Sequence, residues 1–354
     1  MKPDYPSWWD PFSDQPYKLP EEKKPRLSRG QLSEYLKTAL TALMVSPALA
    51  WRYGFPGKKT APKLRDFVGL GVSPDHGEIS QIQDLVSELG VKRLLLRVPS
   101  WHSEQFEFYL RFVEGFPDHT FLINILQSRD SVENQDEWHR AIETITQAFY
   151  PITNEFQIGN AINRTKWGCR HTGEYLSLLD STASLRETHP NLVLAGSSVI
   201  DFEPLVTLRT LINFHPFQLD ACASAMYVNR RGAPHSKQYR IFGLREKLRL
   251  VHALVTLSNR CSSELWITET NWPLLGTKPY TPNSGLPRST VDEETQARYL
   301  SEYYRIAHSL GFVSRVYWWQ LVNPGYGLID HRDGTMRKMP SFHAFKNLLS
   351  GEPL

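Results

Sequence analysis

Leu265-Trp266-Ile267-Thr268-Glu269-Thr270-Asn271-Trp272 is a short apolar run that ends abruptly on a carboxylate. It lies between two longer helical patterns, Leu244–Leu257 before it and Asp292–Leu310 after it, the second closed by Gly311. A short buried strand between helices is the signature of βαβ units and a parallel sheet. Working outward, seven more runs of this kind are predicted as strands: Phe67–Val72, Arg93–Val98, Thr120–Leu126, Glu155–Gly159, Leu192–Ala195, Ala221–Met226 and Arg315–Trp319. Helical patterns separate most of them. Ser80–Leu89 ends at Gly90, a residue suited to a helix C-cap; Trp138–Phe149 precedes Pro151 and Thr172–Thr188 precedes Pro190. The stretch between strands five and six is shorter. Eight parallel strands with intervening helices fit a closed (β/α)8, or TIM, barrel of the α/β class. An open doubly wound sheet carries a glycine-rich phosphate turn after an early strand, and Gly71-Val72-Ser73-Pro74 is not one.

A barrel of this kind takes about 250 residues, so 354 residues hold one barrel, expected over 61–354, and an N-terminal extension over 1–60. The extension is rich in Pro, Lys and Trp and has no clear period, which suggests an arm with one helix wrapping the domain. Its most hydrophobic stretch, Thr38–Trp51, contains Pro47. Its apolar face is expected to pack on its own domain rather than on a membrane surface, because most amphipathic helices do. No apolar run reaches the roughly 20 residues of a membrane span. Met1–Pro20 lacks the basic-then-apolar order of a signal peptide. Cys169, Cys222 and Cys261 are few and widely spaced, with no CxxC pair or Cys/His cluster. That pattern suggests buried free thiols in a reducing compartment; with no signal-peptide pattern a cytoplasmic location is expected, a bacterial source is suspected, and neither a metal nor another cofactor is expected. A net charge of +3 is too small to imply a nucleic-acid partner.

In a barrel the chemistry gathers where the strands end. Strand two ends at Arg97 and strand three near Asn124 and Gln127. Strand four ends in Gly159-Asn160-Ala161-Ile162-Asn163-Arg164, strand six at Tyr227 and Asn229, and strand eight in Trp318-Trp319-Gln320. Glu269 stands out, since a carboxylate at the end of an apolar strand is costly unless it is paired or used. It is either half of a structural ion pair with Arg97, or a nucleophile or base that Arg97 keeps ionised and Tyr227 orients.

Leu265–Trp272 resembles the strand-seven nucleophile segment of clan A retaining glycoside hydrolases, most nearly the family 39 type. Phe156-Gln157-Ile158-Gly159-Asn160-Ala161-Ile162-Asn163-Arg164 resembles their strand-four segment, and Gln296–Tyr304, Trp318-Trp319 and Tyr326–Asp330 resemble the later part of such barrels. The likeness covers roughly residues 66–348 and implies two carboxylates working on a β-linked glycan or polysaccharide. By that resemblance Glu269 is the nucleophile, Asn160 binds the sugar 2-hydroxyl, and Trp318, with Trp319 as alternative, underlies the ring. Trp101, His102 and Trp272 are candidate platforms at the rim.

The acid/base carboxylate of such enzymes, a glutamate after the asparagine, is replaced here by Ala161. An introduced Glu→Ala change that traps a bound sugar is the favoured origin, because Arg97, Asn160, Tyr227 and Glu269 are all retained; a natural carbohydrate-binding pseudoenzyme is the alternative. Glu155 and Glu174 are poor substitutes, one expected at the opposite end of its strand and the other on the next helix. Arg129, Arg164, Arg170, Arg230 and Arg231 follow strands three, four and six and suggest an acidic glycan if they line the cleft. A transglycosylase on the same barrel is a further reading.

Overall fold

The computed structural model describes residues 4–20, 28–57, 59–103, 105–228, 232–281 and 290–350. Its centre is a closed barrel of eight strands: β1 Val68–Val72, β2 Arg93–Pro99, β3 Thr120–Leu126, β4 Glu155–Ile158, β5 Val193–Ile200, β6 Leu219–Ala225, β7 Cys261–Thr270 and β8 Arg315–Trp318. Every neighbouring pair is parallel, and β8 closes on β1 through Val316 beside Val68 and Trp318 beside Leu70. The main helices are α1 Arg29–Gly54, α2 Ile79–Leu89, α3 Glu107–Glu114, α4 Gln135–Phe149, α5 Thr172–Asp180, α6 Pro204–Leu211, α7 Leu244–Leu257, α8 Glu293–Ser309 and α9 Pro340–Leu349. All eight expected strands are present. The predicted helix Thr172–Thr188 is broken into Thr172–Asp180 and a single turn, Leu185–Thr188, and α6 occupies the short stretch between strands five and six. Gly90 caps α2 in the left-handed conformation at φ 71°.

Strand alternation sorts the side chains into two layers. One set, including Leu94, Leu96, Phe121, Ile123, Phe156 and Ile267, packs outward under the helices. The other fills the barrel: Leu95, Leu122, Ala195, Ala221, Ala223, Trp266, Tyr317 and Trp319. Alanines on β5 and β6 leave the width that the three aromatic rings occupy. Glycines on β1 serve the same end, because a Cβ at Gly69 would lie 2.4 Å from Tyr317 and one at Gly71 would lie 2.2 Å from Trp319. The bottom is sealed by Glu155, which Arg315 grips with both guanidinium nitrogens while lying 3.8 Å over the Trp266 ring.

The N-terminal extension departs from expectation in two ways. Residues 5–16 do not wrap the outside of the domain. They form a hairpin, Trp9–Asp10 antiparallel to Gln15–Pro16, that enters the mouth of the barrel. Helix α1 does lie on the domain, but most of its large apolar residues face away from it. Glu34 is its one buried residue among those described. It is ion-paired with Arg209 at 2.9 Å, and Gln31 donates to the Arg170 carbonyl at 3.0 Å. Ala42, Val45 and Leu49 add partial packing. Leu32, Leu36, Leu40, Leu43, Met44 and Trp51 face away from the barrel. The stretch is apolar around most of its circumference, so burying one side still leaves apolar residues on the other.

Candidate active site

Glu269 is placed by a β-bulge. Ile267 pairs with Val316 but Thr270 pairs with Trp318, so β7 spends three residues where β8 spends two. An extra residue re-aims the side chains that follow it. Here the shift brings Glu269 into the mouth, two of its partners coming from other strands. Arg97 on β2 donates Nη2–H to Oε2, and the Tyr227 hydroxyl beyond β6 donates to Oε1. Arg97 lies face-on over Trp319, 3.7 Å from the ring centroid, and donates its second nitrogen to Asp14 Oδ2 at 3.1 Å and to the Asp14 carbonyl at 3.0 Å. Burial pulls the Arg97 pKa down, but Glu269 and Asp14 outweigh it and hold the guanidinium above its ordinary value. Glu269 therefore faces a fixed cation.

The end of β4 forms the opposite wall. Gln127 clamps the turn after it: its amide donates to the Asn160 and Trp167 carbonyls at 2.8 and 2.9 Å, and its Oε1 accepts from the Asn160 N–H at 2.8 Å. The clamp holds Gly159 at φ 74° and Ala161 at φ 47°, a left-handed conformation uncommon for alanine. Asn160 is buried, and its Nδ2 meets no hydrogen-bond partner among the described residues. Ala161 is fully buried against Trp9, Leu126 and Trp167.

The predicted residues therefore divide. Arg97, Tyr227, Glu269 and Trp319 share one contact network, with Asn160 and Ala161 on the facing wall. Asn124 points into the barrel on β3, in register with Arg97 and Gln157. Trp318 and Trp272 do not reach the mouth. They stack on each other, centroids 6.1 Å apart, on the outer side of the barrel against Tyr303, because position 318 has the opposite strand parity to 319. Trp101 stands at the rim but packs against Trp8 and Trp9 at 4.8 and 5.4 Å. His102 is buried between the Tyr109 hydroxyl and the Asp4 carbonyl. Glu155 sits at the barrel bottom and Glu174 pairs with Arg129 at 2.9 Å, both away from Ala161.

The residues missed are those of the arm and what holds it. Trp9 lies over Ala161 and meets Trp167 edge-on at 5.6 Å. Tyr326 donates to the Ser13 carbonyl at 2.7 Å and Asn323 to the Phe12 carbonyl at 3.0 Å. Burial pushes the Asp14 carboxyl up to about 6 against the pull of Arg97. The space left beside Asp14, Arg97 and Trp319 is about 10 Å³, roughly room for a single water. An aperiodic Pro-rich segment gives no pattern from which this docking follows; the Trp8-Trp9 pair was its only signal. A wider groove of about 450 Å³ runs beside the arm, lined by Trp8, Tyr17, Arg129, Lys166 and Arg170. Arg129 and Arg164 are already paired, with Glu133 and Glu174 and with Asp201 and Glu203. Asn229, Arg230 and Arg231 lie outside the described residues. Among the described residues no group of three or more His, Cys, Asp or Glu is placed to hold a metal ion.

No protein-family model matches the sequence, and no curated protein matches it. Solved structures do match by fold. A family 39 glycoside hydrolase from the gut symbiont Bacteroides cellulosilyticus WH2 superposes with a TM-score of 0.58 at 15% identity, over 82% of this chain and 65% of its own length. A family 1 β-glucosidase from Thermotoga maritima gives 0.59 at 10% identity, over 84% of this chain and 100% of its own. An endoxylanase of family 30 from Clostridium papyrosolvens C71 gives 0.56 at 11% identity, over 81% of this chain and 72% of its own. The chain thus shares its (β/α)8 barrel fold with these glycoside hydrolases. At 10–15% identity the likeness is one of fold, spread over families 39, 30 and 1.

Proposed function

We propose that this chain is a retaining glycoside hydrolase that acts on a β-linked glycan through Glu269, with alanine at the acid/base position. One observation carries the reading: an ionisable carboxylate at the C-terminal end of β7 is held by Arg97 and Tyr227 above an inward-facing Trp319. Retaining enzymes form and hydrolyse a covalent glycosyl-enzyme with two carboxyl groups about 5–5.5 Å apart. Glu269 attacks the anomeric carbon and displaces the leaving oxygen. A glutamate at 161 would protonate that oxygen and then deprotonate the incoming water. The missing group is worth roughly 10²–10⁴-fold in rate. Asn160, with an unpartnered amide nitrogen in the wall, is the proposed contact for the sugar 2-hydroxyl. Arg170 along the side groove favours a glycan bearing carboxylates. Three free cysteines favour a reducing, cytoplasmic setting.

A second reading rests on the arm. Trp9 covers Ala161 and Asp14 occupies Arg97, which favours a native alanine in a barrel that binds glycan without turning it over. Ala161→Glu and the Ala161 form, the latter with azide, are to be assayed on aryl β-glycosides and bacterial polysaccharides. An activated aryl group leaves without acid help and azide attacks without base help. Hydrolysis by the glutamate form together with a β-glycosyl azide from the alanine form supports the hydrolase. Glycan binding with no reaction of either form supports the binding protein, and transfer to an added acceptor sugar would identify a transglycosylase.

A further inference from the structure

Helix α1 presents a second functional surface, on the flank of the barrel away from the mouth. It is 26 residues long, about 39 Å at 1.5 Å per residue. Its outward side carries Leu32, Tyr35, Leu36, Leu40, Leu43, Met44 and Trp51, continued by Phe55, each more than half exposed; Leu43 and Met44 reach 74% and 72%. Single exposed apolar residues are ordinary, whereas a contiguous run of this length marks a contact surface. Lone helices with an apolar side bury it on their own domain. Here the side turned to the domain carries Glu34 and Gln31 together with Ala42, Val45 and Leu49, and a second, longer apolar side is turned out.

The charge around the run says what it meets. The only carboxylate on the helix is Glu34, which is buried and tied to Arg209 and Lys37. Arg29 and Arg52 are exposed near the two ends, Lys37 lies between them, and Lys59 follows the helix. Tyr35 stands toward one end, and the Trp51 and Phe55 rings pack at 4.6 Å at the other. Apolar residues flanked by cations and amphipathic aromatics, with no exposed acid on the helix itself, suit an in-plane helix on an anionic lipid surface. A second copy fits worse. Antiparallel pairing along the run sets Arg52 of each copy against Arg29 and Lys37 of the other, with no exposed helix carboxylate to offset them. Among the described residues no helix is long and apolar enough to cross a membrane.

We propose that α1 docks the protein on a membrane surface rich in anionic lipid, its outward leucines in the acyl boundary and its arginines among the headgroups. The test is flotation of the full chain with vesicles of phosphatidylcholine and phosphatidylserine, against phosphatidylcholine alone. The expected result is partition onto the anionic vesicles, lowered at least tenfold by Leu36→Glu with Leu43→Glu. Arg29→Gln and Arg52→Gln are expected to lower it about fivefold each on the anionic vesicles alone. All four positions are exposed, and unchanged circular dichroism and thermal midpoint confirm that the variants fold. Absence of the full chain from anionic vesicles overturns the proposal, as does unchanged partition of the double glutamate variant. So does a dimer in analytical ultracentrifugation that the same glutamates dissolve while no vesicle binding is seen.

Discussion

Arg97 serves three groups at once. One guanidinium nitrogen reaches Glu269, another reaches Asp14, and the planar face rests on Trp319. Removing it leaves Glu269 buried beside apolar and aromatic groups with its counter-charge gone. Arg97→Met is therefore expected to cost about 3–5 kcal/mol, the usual penalty for breaking a buried ion pair from one side, read as a fall in the urea midpoint. A residue-scale contrast tests the two adjacent tryptophans. Trp319→Ala is expected to remove glycan binding, whereas Trp318→Phe lowers stability and leaves binding intact; isothermal titration and thermal unfolding separate the two. The partnership of Arg97, Tyr227 and Glu269 was legible because each ends a strand, and strand ends converge in a barrel. The choice between Trp318 and Trp319 was not. It depends on which parity of β8 faces the barrel interior, and two adjacent tryptophans at a strand end look alike in sequence.

The hairpin of the arm is the element that governs access. It is held by main-chain acceptors, Ser13 and Phe12, by the Trp9 ring and by Asp14, so it has several weak points of release. Trp9→Ala with Asp14→Ala is expected to expose the mouth and to raise glycan affinity at least tenfold by calorimetry; equal affinity would mean that sugar reaches the site with the arm in place. The Asp14 carboxyl adds a pH dependence whose sign is fixed. Docked, it titrates near 6; undocked, near the ordinary 3.9. The docked arm thus binds more protons between those values, and docking weakens as pH rises from about 4 to 6, by no more than about 3 kcal/mol. Hydrogen exchange across Trp8–Pro16 should become faster over that window, and Asp14→Asn should flatten the response. The helical elements were readable from their period, but an aperiodic arm was readable only as an extension.

At the scale of the molecule, the two ends of the barrel have separate duties. The bottom is closed by Glu155, Arg315 and Trp266, and the top carries Glu269 and its neighbours. Glu155→Ala is expected to cost several kcal/mol of stability by leaving Arg315 buried and unpaired, with glycan affinity unchanged by titration calorimetry. A loss of affinity at constant stability would join the two ends functionally.

The sequence by itself determined the local regularities: eight short apolar runs, the helical periods between them, and a carboxylate ending the seventh run opposite an arginine ending the second. Those follow from alternation and helical period, which act over a few residues. Tertiary structure alone decided which way Glu269 and Trp319 face, that Asp14 meets Arg97, and that α1 turns Leu32, Leu36, Leu40 and Leu43 outward. These depend on closure of β8 on β1 and on contacts between residues far apart in the chain, where side-chain volume and paired charge, rather than period, select the arrangement.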